Sequence, residues 1–284
     1  MTVDTEQAVR TLTLGFSPCP NDTFIFHALV SGIVDVEGVA FRERLEDVET
    51  LNRLAADAAL DVTKVSYGAI PHLVRNYVLL HSGGALGRGC GPLVVAREPF
   101  AGEELAGKRI AIPGRNTTAN LLLRLFAPDA PAGVEMAYSD IMPAVERGQV
   151  DAGLIIHESR FTYPQHGLAK VVDLGEWWER ATGLPIPLGG ILARRGLGAE
   201  TIRAIDDGIR RSVEHAFAHP ADGAAYIRAH AQEMDEAVQR QHIALYVNRF
   251  TADLGDEGAR AIHELFARAR AAGIISEDVP SPFV

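Results

Sequence analysis

The sequence predicts an α/β protein made of two lobes around a cleft. Three observations predict it. Strand-like and helix-like stretches alternate from Leu12 to His157. Two similar segments, CGPLVVAREP (90–99) and IPLGGILARRG (186–196), each run from small residues through an apolar strand to Ala-Arg, and they bracket one compact α/β unit. From about Gly198 the pattern turns purely helical. A chain that leaves one lobe, builds a second and returns would place residues 1–97 and 190–284 in a first, larger lobe with a helical tail, and 98–189 in a second.

Each element has a local reason. LTLGF (12–16) is a strand and TFIFHALVSG (23–32) a short helix. VAFRERL (39–45) is the second strand. In EDVETLNRLAADAA (46–59), Val48, Leu51, Leu54, Ala55 and Ala58 fall on one helical face. LDVTKVS (60–66) and YVLLHSGG (77–84) continue the strands. The second unit repeats the plan with KRIAI, NTTANLLLRLF, VEMAY, SDIMPAVERGQ and AGLIIH, spanning 108–157. Such alternation predicts parallel sheets. In the tail, Ile202, Ile205, Ile209, Val213 and Phe217 recur at helical steps. YIRAHAQEM, AVQRQHIALYVNRF and EGARAIHELFARARAAG extend that pattern to Gly273.

Composition excludes several function classes. The chain has 284 residues and a net charge of −10. An acidic surface repels nucleic acid and anionic membranes, so neither is an expected partner. Its two cysteines, Cys19 and Cys90, form no CxxC site and no disulfide framework. HExxH and GxSxG are absent. Neither a metal nor an organic cofactor is expected. No apolar run reaches the ~18 residues of a membrane span, and the polar start MTVDTEQAVR does not read as a secretory signal. The expected location is the cytoplasm.

Ligands of open parallel sheets bind beyond the carboxyl ends of strands, so the loops there hold the candidates. SPCPND (17–22) follows the first strand. Pro18 and Pro20 stiffen it, and Asn21 or Asp22 suits a helix cap or a polar cleft wall. In DVTKVSYGAI, a period of two puts Lys64 and Ser66 on one face and Val65 and Tyr67 on the other. A lysine there is either paired with an acid or part of an anion site. In IAIPGRNTTANLLL, Asn116 is a candidate cap, and Thr117 and Thr118 then stand in a helix's first turn, where anions are favoured. His157 ends an apolar strand and can transfer protons near neutral pH. Its neighbour Glu158 points to the opposite face and supports the loop or is solvated. Trp177 and Trp178 line the cleft mouth or pack in the core. Cys19 has no visible base beside it and is a weak nucleophile candidate.

Taken together, SPCPNDTFIFHAL, EDVETLN, LDVTKVSYGAI, GPLVVARE, GRNTTANLLL, GLIIHESRFTY and PIPLGGILARR resemble the 1,4-dihydroxy-6-naphthoate synthases of the futalosine route to menaquinone, over residues 11 to 195. The resemblance implies a type II periplasmic-binding-protein-like fold with an interlobe cleft. It implies a carbon–carbon lyase that acts on cyclic dehypoxanthinyl futalosine, a small molecule with an aromatic carboxylate and a sugar-derived ring. It implies His157 as proton acceptor, and Lys64, Val65, Ser66, Thr117 and Thr118 as substrate-binding. Asn21 and Asp22 become candidate contacts to the sugar-derived part. Rival expectations are a non-catalytic carboxylate-binding protein of the same fold, and the related chorismate dehydratase. A transcription-factor effector domain fits poorly, since no helix-turn-helix segment is present. The helical tail either covers the first lobe or pairs two chains as a homodimer.

Overall fold

The computed structural model describes residues 9–231 and 235–283. The first lobe begins with β1 (Arg10–Phe16), α1 (Pro20–Val30), β2 (Val39–Leu45), α2 (Val48–Ala56), β3 (Val62–Ser66), α3 (Ile70–Leu73), β4 (Tyr77–Leu79) and β5 (Ala85–Gly87). The chain then crosses to β6 (Leu93–Ala96), β7 (Ile110–Ile112), α4 (Thr118–Phe126), β8 (Val134–Glu135), α5 (Tyr138–Glu146), β9 (Ala152–Ile155), α6 (Ser159–Thr162), β10 (Ala169–Asp173) and α7 (Leu174–Thr182). It returns along β11 (Ile186–Arg194). The tail follows as α8 (Ala199–Ala218), α9 (Ala224–His230), α10 (Glu236–Tyr246), α11 (Arg249–Ala252) and α12 (Gly255–Ala271). The last residues of YIRAHAQEM, 232–234, lie outside the described residues.

The strands form two sheets. The first has the order β2-β1-β3-β11-β4, with β5 also on β11; the second is β10-β6-β9-β7-β8. Both are mixed, which corrects the expectation of parallel sheets. β1 runs parallel to β2 and β3, and β7 parallel to β8 and β9. β11 is antiparallel to β3, β4 and β5, and β6 to β9 and β10. The reason is the crossing itself. β6 and β11 each enter their sheet from the other lobe, hence from the cleft side, and so run away from it. The change of sheet also falls earlier than residue 98: β6 belongs wholly to the second sheet through its partners β9 and β10. From Ile186, β11 belongs to the first.

Burial follows the helical pattern in α8: Ile202, Ile205, Ile209 and Val213 are buried against β1 and α1 residues. Phe217, on the same expected stripe, is 46% exposed and meets the Phe24 ring edge-on at 6.5 Å. It sits at the last turn of α8, where the stripe has run past the sheet. Trp178 is fully buried in the core and donates Nε1–H to the Pro185 carbonyl at 3.0 Å, so it anchors the return crossing. Among the described residues, no helix is long and apolar enough to cross a membrane.

Candidate functional site

The carboxyl ends of β1 and β3 in one lobe, and of β7 and β9 in the other, all open toward the cleft. The loops that follow them line one cavity, together with residues of α10. Asn21, Asp22, Lys64, Ser66, Thr117, Thr118 and His157 are brought together there. Val65 is not. The alternation that turns Lys64 and Ser66 to the cleft sends the Val65 side chain into the core.

The β1–α1 loop is rigid for reasons visible in its bonds. α1 starts at Pro20, in the first helical position, where its missing N–H costs nothing. Neither Asn21 nor Asp22 caps the helix, contrary to expectation; Cys19 occupies the cap position without a side-chain bond. Asp22 instead gathers donors. Its Oδ2 accepts from Ser17 N at 3.1 Å and Ser17 Oγ at 2.7 Å. Its Oδ1 accepts from Asn21 Nδ2 at 2.8 Å and from Lys64 Nζ. Lys64 is therefore the paired lysine of the two readings open from sequence. Both partners are buried, so each is the condition for the other's charge.

Ser66 is held by Asn52, which accepts from its N–H at 2.9 Å and donates to its Oγ at 3.3 Å. Across the cleft, Thr117, not Asn116, caps α4: its Oγ1 accepts from Asn120 N at 3.2 Å and donates to Gly114 O at 2.8 Å. Asn116 turns to Glu49 at 3.3 Å. Thr118 Oγ1 ties the lobes, donating to Leu188 O at 2.5 Å and accepting from Gly68 N at 3.1 Å. Gly68 is needed for that approach, because a Cβ there would stand 2.8 Å from Thr117 O. Both hydroxyls are thus spent on structure. What α4 offers the cavity is its first-turn N–H groups, at Thr118 and Ala119, which no helix carbonyl can reach. Thr117→Ala is expected to destabilise the protein by about 1 kcal/mol through the lost cap, with Thr117→Ser nearly neutral, as read by thermal melting.

His157 lies in the turn between β9 and α6 with φ +57°, a left-handed conformation that aims the ring away from the strand direction. Cys19 Sγ is 3.6 Å from its Nδ1, and Tyr138 meets it edge-on at 5.1 Å. Burial lowers its pKa below the ordinary imidazole range, so it is neutral and able to accept a proton at neutral pH. Burial pushes the Cys19 thiol up, and Glu158 adds to the shift, so no thiolate nucleophile forms there. Among the described residues, no group of three or more His, Cys, Asp or Glu could hold a metal ion.

The tail supplies what sequence reasoning missed. His242 and Tyr246, one helical turn apart on α10, both line the cavity, with rings 4.6 Å apart. His242 Nε2 lies 2.8 Å from Asn21 Oδ1, and its ring stacks on His157 at 6.3 Å. The i, i+4 spacing of two aromatic side chains was the one available signal. Nothing local says that this face meets a loop 221 residues away.

Two lobes, each an α/β sheet, closed on a cavity between them define the periplasmic-binding-protein class of fold. The Candida albicans protein described as having that generic fold superposes with a TM-score of 0.68 at 12% identity, covering 95% of this chain and 92% of its own. A family model described as menaquinone biosynthesis matches residues 12–271, and the chain belongs to that family. A Thermus thermophilus protein named 1,4-dihydroxy-6-naphthoate synthase is 56% identical over 96% of this chain and 98% of its own. A Streptomyces coelicolor protein of the same name is 50% identical over 93% and 95%. A solved Archaeoglobus fulgidus structure is 37% identical, with a TM-score of 0.88 over 93% of this chain and 98% of its own.

Proposed function

We propose that this chain is a carbon–carbon lyase of menaquinone biosynthesis that converts cyclic dehypoxanthinyl futalosine to 1,4-dihydroxy-6-naphthoate. The observation that carries the reading is one cavity holding a neutral His157 and the open N-terminus of α4, in a chain 56% identical to a protein named for that product. The substrate carboxylate rests on the Thr118 and Ala119 N–H groups. Lys64 and Ser66 give donors to oxygens on which negative charge develops. His157 removes a proton, the sugar-derived carbons leave, and the ring system gains aromaticity. Aromatisation supplies the driving force, so the protein's work is positioning, one base and charge stabilisation. Asn21 and Asp22, already bonded to one another and to their neighbours, shape the wall beside the sugar-derived part.

The test is incubation of the purified protein with cyclic dehypoxanthinyl futalosine and, separately, with chorismate. Naphthoate formation from the first, with no turnover of the second, is expected. Binding without product would leave a ligand-binding protein of the same fold. Turnover of chorismate would assign the dehydratase step.

A further inference from the structure

Two buried polar atoms behind His157 have no hydrogen-bond partner among the described residues: Oε2 of Glu158 and Nδ1 of His242. They lie 3.9 Å apart. Buried polar atoms are almost always satisfied, so the pair calls for a physical reason. The neighbours fix the state of each. Asn21 gives an Nδ2 hydrogen to Asp22, which turns Asn21 Oδ1 toward His242. An amide oxygen only accepts, so His242 Nε2 carries the hydrogen and Nδ1 bears a lone pair. Burial first, then His157 and Lys64, hold His242 well below the ordinary imidazole range, so the ring is neutral. Glu158 Oε1 accepts from the Tyr138 hydroxyl at 3.4 Å. Two acceptors therefore face one another, and the thing missing between them is a proton.

His242 reaches His157 directly, and Glu158 reaches it through Tyr138. His242 stacks on its ring, and Tyr138, bonded to Glu158, meets it edge-on. We propose that Glu158 and His242 together are the counter-charge of His157: the couple carries one negative charge and one open proton position, and that charge makes the buried imidazole basic enough to take the substrate's proton. This is a positioning role, and it rests on the reading of His157 as the base.

Asp22 and Asp47 act on His157 in the same direction as Glu158, but more weakly. Asp22 is paired with Lys64. Asp47 is occupied as the N-cap of α2, accepting from Glu49 N and Thr50 N. Cys19 and Tyr138 are held protonated by burial. Burial depresses the proton affinity of His157, and Glu158 is the strongest influence in the opposite direction. When His157 becomes an imidazolium, it and the carboxylate attract one another in a site of low dielectric.

A base works deprotonated, so kcat/KM falls as pH drops through the pKa of His157. Removing the Glu158 charge lowers that pKa and moves the acid limb to lower pH. It also weakens the base, so the plateau falls.

Glu158→Gln preserves size and leaves an oxygen for Tyr138. Its acid limb is expected to move down by about half a pH unit or more, with a plateau lower by roughly threefold to tenfold and KM little changed. Glu158→Asp should recover most of the displacement. Full-length protein labelled with ¹⁵N-histidine gives a readout independent of turnover. The His157 titration midpoint should fall in Glu158→Gln, and wild-type His242 should show the Nε2–H tautomer. A His157 midpoint unmoved in Glu158→Gln overturns the proposal at any level of activity. So does an Nδ1–H tautomer of His242 in the resting wild type, a measurement that survives if the variant fails to fold. If the wild type makes no naphthoate, the proposed function fails, while the His157 midpoint still decides the couple.

Discussion

Replacing His157 by asparagine is expected to lower kcat by about 10²–10⁴-fold, the usual contribution of a general base, while KM and thermal stability stay near wild type. The choice of residue matters. At φ +57° a left-handed backbone is tolerated by asparagine far better than by most side chains, whereas alanine would add a strain cost of roughly 1–2 kcal/mol. Asparagine therefore removes the proton acceptor while leaving the turn between β9 and α6 in place. In the wild type, burial lowers the pKa of His157, so the acid limb of kcat/KM should lie below the ordinary imidazole range and disappear in the variant. Steady-state kinetics across pH, beside a thermal melt, check all three points. A stable His157→Asn protein with near-normal turnover would remove the base from the proposed reaction.

His157, Lys64 and Ser66 were legible for physical reasons that act locally. A period of two fixes which face a strand residue shows, and a strand's carboxyl end fixes where its next loop opens. The same alternation sends the Val65 side chain to the core, although the resemblance counts Val65 among the substrate-binding residues. Caps were legible as a class but not by position. Asn116 and Thr117 are both good cap residues, and which one serves depends on the contact Asn116 makes with Glu49 in the other lobe. Strand direction failed at β6 and β11, because alternation of strands and helices predicts parallel sheets only while the chain stays in one lobe. For His242 the i, i+4 spacing from Tyr246 was the sole trace in the sequence. Its place is set by a contact with Asn21, 221 residues away in sequence, which nothing within α10 encodes.

The ion pair of Asp22 and Lys64 carries the second large expected effect. Asp22→Asn should destabilise the protein by about 3–5 kcal/mol, because it leaves the Lys64 ammonium buried without a counter-ion. Lys64 is 6% exposed and Asp22 1%, so water cannot take over the role. Denaturant unfolding measures the loss, and a cost below about 1 kcal/mol, the range of surface pairs, would mean that the ammonium finds solvent. Breaking such a pair differs from replacing it. The double variant Asp22→Leu with Lys64→Met removes both charges and should recover the part of the loss that comes from the unpaired ammonium, but not the bonds that Asp22 accepts from Ser17 and Asn21, giving a non-additive coupling in the mutant cycle. It should not recover activity. Without the Asp22 carboxylate Asn21 loses the acceptor for its Nδ2–H, and with it the constraint that presents its oxygen to His242; without Lys64 the cavity loses a donor for developing negative charge. Full turnover in the stable double variant would reduce the pair to scaffold. Loss of kcat/KM in a double variant that still folds would show that the buried charges serve chemistry at the cleft as well as stability.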